Sequence, residues 1–127
     1  MSVVLDSSAV IALMKGEPGS DRVEAVLPEA IISVVNLAEV AAVLSRGSSP
    51  QRVRAAVAGI GVVVVPADEE TAIAAGLLAP TTAAAGLSLG DRFCLALAQR
   101  VGAPVLTGDR VWMRVAADVN VDVQLIR

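Results

Sequence analysis

The chain has no histidine and no tyrosine, a single lysine, Lys15, and a single cysteine, Cys94. Each gap closes a class of chemistry. Without histidine there is no Ser-His-Asp or Cys-His nucleophilic centre and no imidazole general acid or base. Without histidine or paired cysteines there is no zinc site built on their ligands. One cysteine excludes an internal disulfide, and its place in an apolar helical run makes Cys94 a packing residue. Neither a Walker-type phosphate loop nor a G-x-G-x-x-G turn occurs. No apolar run approaches the roughly 18 residues of a membrane span, and the N-terminus lacks a basic segment with a small-residue cleavage site. The expectation is a cytoplasmic protein with no membrane contact. Any catalysis falls to carboxylates.

What is present is a large apolar fraction, 55% of 127 residues, which supplies an ample core for one domain over residues 1–127. The net charge of −3 argues at first against nucleic acid, whose binding is dominated by basic side chains. Two divalent ions bound by acids would add four positive charges and carry that balance to +1. Nine of the ten basic residues are arginine, whose planar fork suits phosphate.

The chain is organised around Val3-Val4-Leu5-Asp6-Ser7-Ser8, a short apolar run that stops on a carboxylate and two hydroxyls. Such a run reads as a strand buried on both faces, with Asp6 at its carboxyl end and a helix starting immediately after. A helix over about 7–14, a break at Gly16 to Gly19 and a second helix over 20–27 follow. Ala30 to Ser33 is a second strand. The helix from about Val34 to Arg46 is apolar nearly all round, which predicts burial, and only Asn36 and Glu39 interrupt it, three residues apart on one side. After a short helix over 51–58, Val62 to Val65 is the third strand. A helix runs to about Leu78, its leading acids Asp68, Glu69 and Glu70 reading as solvated capping charges. A long helix starts at Ser88 and reaches Arg100. Val105-Leu106 forms a fourth strand ending in Thr107-Gly108-Asp109, which repeats the opening pattern. A short helix over 110–117 precedes alternating Val119, Val121 and Val123, an edge strand.

Strands alternating with helices predict an α/β protein with a parallel sheet covered on both faces. Ligands bind such sheets at the carboxyl edge, where strand order reverses. If the first and fourth strands are neighbours, Asp6 and Asp109 meet there, and helices can bring Glu39 and Asp91 over them. Each acid also has a plainer role. Asp6 is a helix N-cap. Ser88-Leu89-Gly90-Asp91 is a capping box with Asp91 at its third helical position. Glu39, on a helix read as buried, needs an arginine or a metal to offset its desolvation.

Four segments together resemble the PIN-domain ribonucleases, and specifically VapC toxins of bacterial toxin-antitoxin pairs. They are the hydrophobic-D-S-S-A run at 3–9, S-V-V-N-L-A-E at 33–39, S-L-G-D-R-F-C-L-A-L-A at 88–98 and V-L-T-G-D at 105–109. The resemblance covers essentially the whole chain. It implies a three-layer α/β/α sandwich with strand order 3-2-1-4-5, a pocket binding Mg²⁺ or Mn²⁺, and RNA cleavage by metal-activated water, tRNA being one possible target. It further implies an antitoxin protein as partner and a homodimer. The acidic residues carry over to Asp6, Glu39, Asp91 and Asp109, with Asp6, Asp91 and Asp109 as metal ligands and Glu39 orienting or deprotonating the water. Ser7, Ser8, Asn36 and Thr107 match positions that support the pocket. Arg92, Arg46, Arg52, Arg54, Arg110 and Arg114 are candidates to track RNA.

Two other readings remain open on the residues. An aspartate-based phosphatase also begins with a strand ending in Asp, but wants a lysine on its phosphate, and Lys15 falls in the break after the first helix. A non-catalytic PIN-like module that binds RNA or protein would not need four acids.

Overall fold

The structure, a computed structural model, describes residues 2–127. Five strands form one sheet in the order β3-β2-β1-β4-β5, with β1 Val3–Leu5, β2 Ala30–Ser33, β3 Val63–Val65, β4 Val105–Thr107 and β5 Val123–Leu125. Every pairing is parallel. Seven α-helices connect or cover them: α1 Ser7–Lys15, α2 Ser20–Val26, α3 Val34–Ser45, α4 Pro50–Ala58, α5 Glu69–Leu77, α6 Ala79–Thr82 and α7 Leu89–Val101. This is the expected α/β/α sandwich, and no helix is long and apolar enough to cross a membrane among the described residues.

Strand alternation sorts the core into two halves. Val4 and Val105 point into one, with Cys94, Leu95 and Leu97 of α7 and the fully buried Trp112. Leu5 and Leu106 point into the other, with Ala9, Val10, Val23, Ile32 and Val40 from the α1, α2 and α3 side. Cys94 is buried as a packing residue, and burial pushes its thiol well above the usual range.

Four expectations need correction. Along α3 only Asn36 and Val40 are buried. Val34, Leu37, Ala38, Ala41 and Ala42 instead line an open groove of about 830 Å³, with Val53 and Val57 of α4 opposite. An all-round apolar composition thus marks a second, uncovered face rather than burial. The final strand lies at 123–125, not 119–123: Asn120 takes a positive φ of 54° and turns the chain, while Val119 and Val121 are buried beside Trp112. Alternation there reported burial around a turn. Asp68 caps α5 as expected, but it faces Arg100 at 2.9 Å rather than solvent alone. The segment after Asp109 is a 3-10 turn over Arg110–Arg114 rather than a longer helix.

β1 and β4 are neighbours, with Leu5 paired to Leu106. The strand order reverses there, so the two segments ending in an acid open onto one crevice.

Candidate active site

At that crevice the Asp6 side chain is only 3% exposed. Both its oxygens are engaged. Oδ1 accepts from the Ala9 N–H at 2.9 Å, the N-cap bond that starts α1. Oδ2 accepts from Thr107 Oγ1 at 2.6 Å. Ser8 Oγ lies 2.7 and 2.9 Å from the two oxygens and itself accepts from the Gly108 N–H at 2.9 Å. Thr107 Oγ1 in turn accepts from the Asp109 N–H at 3.0 Å. The end of β4 and the start of α1 are thereby stitched together through one carboxylate. Ser7 opens α1 half-buried and contributes no side-chain hydrogen bond among the described residues.

Burial raises the Asp6 pKa from 3.8 to about 6, against the pull of the hydrogen bonds from Thr107, Ser8 and Ala9, with the Asp91 charge adding to the rise. Asp68 shows what burial contributes. It caps a helix in the same way but is exposed, and its hydrogen bonds from Thr71 and then Arg100 lower it to about 2.

The other three acids stand on separate elements, each tethered by one oxygen. Asn36 Nδ2 donates to Glu39 Oε1 at 2.8 Å. The Ser88 N–H donates to Asp91 Oδ2 at 2.9 Å, closing the expected capping box as Ser88 Oγ accepts from the Asp91 N–H. The Val111 N–H donates to Asp109 Oδ1 at 3.0 Å. The second oxygen of each is left for other partners. Asp91 is half-buried, and its pKa is raised by desolvation first and then by the Glu39 and Asp109 charges, against its own capping bonds. Asp91 therefore senses Glu39 and Asp109, and Asp6 senses Asp91. The cap engages only Oδ2 of Asp91 and leaves Oδ1 without a hydrogen bond among the described residues.

An all-oxygen donor set suits hard ions such as Mg²⁺ and Mn²⁺. Among the described residues no three acidic or thiol side chains come close enough to form a ligand cluster. Mg²⁺ usually keeps several waters and takes only one or two carboxylates directly, so a site for it does not require three acids in contact.

Arg92 is half-buried and reaches the Ala75 carbonyl at 3.4 Å, whereas Arg46, Arg52, Arg54, Arg110 and Arg114 are exposed. Two features were not anticipated. A Cβ on Gly108 would meet Arg127 Nη2 at 2.8 Å, so that guanidinium packs on the turn between Thr107 and Asp109. A Cβ on Gly90 would fall on the Glu39 carboxylate. Contacts made by an absent side chain leave no signal in one sequence.

No curated protein sequence matches the chain. Among solved structures, the DNA-bound VapBC of Salmonella typhimurium is similar over 100% of this chain and 99% of that one, at 22% identity and a TM-score of 0.80. VapBC-1 of nontypeable Haemophilus influenzae matches with 99% and 98% coverage, 22% identity and a TM-score of 0.76. VapC20 of Mycobacterium tuberculosis, described as a Sarcin-Ricin loop cleaving toxin, matches with 89% and 94% coverage, 18% identity and a TM-score of 0.73. At these identities the likeness concerns the fold. A sequence model of the PIN domain matches residues 3–118, a span that contains all four acids and both strands that carry the crevice. On that match the chain belongs to the PIN-domain family.

Proposed function

We propose that this chain is a metal-dependent endoribonuclease acting as the toxin of a toxin-antitoxin pair. Its catalytic residues are Asp6, Glu39, Asp91 and Asp109, and Asp6, Asp91 and Asp109 hold Mg²⁺ or Mn²⁺. The observation that carries this reading is the set of tethers: three acids on three elements, each fixed by one oxygen with the other uncommitted, around a buried fourth whose pKa is displaced to about 6. Carboxylates with displaced pKa values beside a cleft, here Asp6 and Asp91, are candidates for a functional site.

A divalent ion in such a site supplies charge stabilisation at the phosphorus and lowers the pKa of bound water. The chain's residues do the rest. Ser8 and Thr107 hold Asp6 in one orientation by donating to it. Glu39, with Oε1 held by Asn36 and Oε2 packed against Gly90, is the carboxylate that orients the attacking water and accepts its proton. Asp109, exposed at the rim and followed by Arg110, lies where a phosphate backbone can approach. VapC20, similar in fold, is described as a Sarcin-Ricin loop cleaving toxin. Structured RNA, tRNA included, is the proposed substrate class.

The antitoxin and homodimer readings draw on the VapBC complexes that share this fold. They also draw on exposed apolar surface: the groove between α3 and α4, and Val63, Ile73 and Leu77, exposed at 63%, 52% and 74%. Monomers rarely leave contiguous apolar patches uncovered.

The phosphatase reading loses its lysine, since Lys15 is exposed at the opposite end of α1 from Asp6. A non-catalytic RNA-binding module remains the alternative, favoured by the open spacing of the acids. Incubating structured RNA with the protein in Mn²⁺, in Mg²⁺ and in EDTA separates the two. Metal-dependent cleavage that EDTA stops supports the nuclease. RNA binding without cleavage in either metal overturns it.

A further inference from the structure

Gly90 lies in the first turn of α7 and is buried, yet it is not among the glycines with positive φ. Nothing in the backbone requires glycine there. What favours it is space: a Cβ at this position would overlap the Glu39 carboxylate, Oε2 being its nearest atom, with the carboxyl carbon at 2.5 Å and Oε1 at 2.7 Å, so the end of a flexible side chain that Asn36 holds in place would have to move. On the other side the Asn36 amide bridges the same two residues, donating to Glu39 Oε1 at 2.8 Å and to the Gly90 carbonyl at 3.0 Å. Asn36 is 1% exposed, so this bridge is shielded from competing water. Its Oδ1 is buried without a partner among the described residues, so Nδ2 alone ties the amide here.

We propose that Gly90 is a positioning residue for Glu39: the missing side chain is the seat on which the Glu39 carboxylate rests, and Asn36 locks it there against the turn that carries Asp91. The proposal rests on the nuclease reading of the pocket. It assigns a role to a position with no functional group, and makes the α3–α7 contact the element that sets where the water-orienting carboxylate stands.

The test compares Gly90→Ala, Glu39→Asp and the double variant for RNA cleavage, and Gly90→Ala with and without Glu39→Ala for thermal stability. Alanine in place of a glycine with ordinary φ normally stabilises a fold, raising Tm by a few degrees. Here Gly90→Ala is expected to lower Tm when Glu39 is present and to raise it in the Glu39→Ala background. Catalytically, displacing one reacting group by about 1 Å costs roughly 10²-fold. Gly90→Ala should lower kcat by about that factor with KM unchanged. Shortening the arm with Glu39→Asp should recover at least tenfold of the loss.

If Gly90→Ala raises Tm equally in both backgrounds, the carboxylate does not rest on Gly90 and the proposal is overturned. If the Tm effects couple but kcat stays at the wild-type level, the contact is structural and the positioning role is overturned. Failure of the nuclease reading would show differently, as absence of cleavage by the wild-type protein, while the Tm coupling stands independently.

Discussion

Thr107 Oγ1 donates to Asp6 Oδ2 at 2.6 Å across the β1–β4 seam, joining residues 101 positions apart in the chain. A buried carboxylate with too few donors would be costly. Thr107 and Ser8 moderate that cost, and also decide which way Asp6 faces.

Replacing the carboxylate without changing its shape tests its chemistry. Asp6→Asn should abolish RNA cleavage while leaving the far-UV circular dichroism unchanged, since Asn also caps helices. Undiminished cleavage by the variant would remove Asp6 from the catalytic set.

Thr107→Val keeps the volume and removes the donor. Partners that orient a metal-binding residue typically contribute about 10–100-fold in metal affinity. Titration calorimetry with Mn²⁺ should show a loss of that size in Thr107→Val; an affinity equal to wild type would make the hydroxyl a purely structural partner of β4.

The raised pKa of Asp6 fixes the sign of a pH effect. The folded protein holds the Asp6 proton more tightly than the unfolded chain, whose value is near 3.8. Folding is favoured while the group is protonated. That advantage is lost as pH rises from about 4 through about 6 and does not change above. A displacement of this size corresponds to roughly 3 kcal/mol. Denaturant titrations of metal-free protein should give a wild-type stability that falls through this window relative to Asp6→Asn. A difference between the two proteins that is flat with pH would contradict the burial argument.

Asp91 allows a test of opposing terms. Asn at this position can still accept from the Ser88 N–H, so Asp91→Asn preserves the capping bond and removes only the charge that is desolvated and repelled by Glu39 and Asp109. Scanning calorimetry in EDTA should show a higher Tm for the variant. With Mn²⁺ at a hundredfold excess over Kd, wild type should gain about 2.7 kcal/mol and the variant less. A lower Tm in EDTA together with the full metal-induced gain would reduce Asp91 to a helix cap.

The strands were readable because each of β1 and β4 is a short apolar run ending on a polar residue, and all-parallel neighbours are apolar on both faces. Asp6, Asp91 and Asp109 were readable as residues at strand ends and a helix start, and Glu39 as the one charge within an apolar helix. What composition could not convey is which side of α3 is covered. Its apolar residues run nearly all round, and only the position of α4 shows that Leu37 and Ala41 line an open groove. For Asp91 the sequence shows the capping box but not that the cap uses one oxygen only. Gly90, Gly108 and Arg127 stayed silent for a related reason: their part in the site is an approach between distant segments, made possible by a missing atom.

The tethers make the pocket audible from its own backbone. The amide protons of Ala9, Ser88 and Val111 are each donated to one pocket carboxylate, Asp6, Asp91 and Asp109 respectively. Three resonances in an amide correlation spectrum therefore report three acids one by one, and an ion that redistributes charge over the group shifts each signal according to how strongly its own carboxylate is engaged.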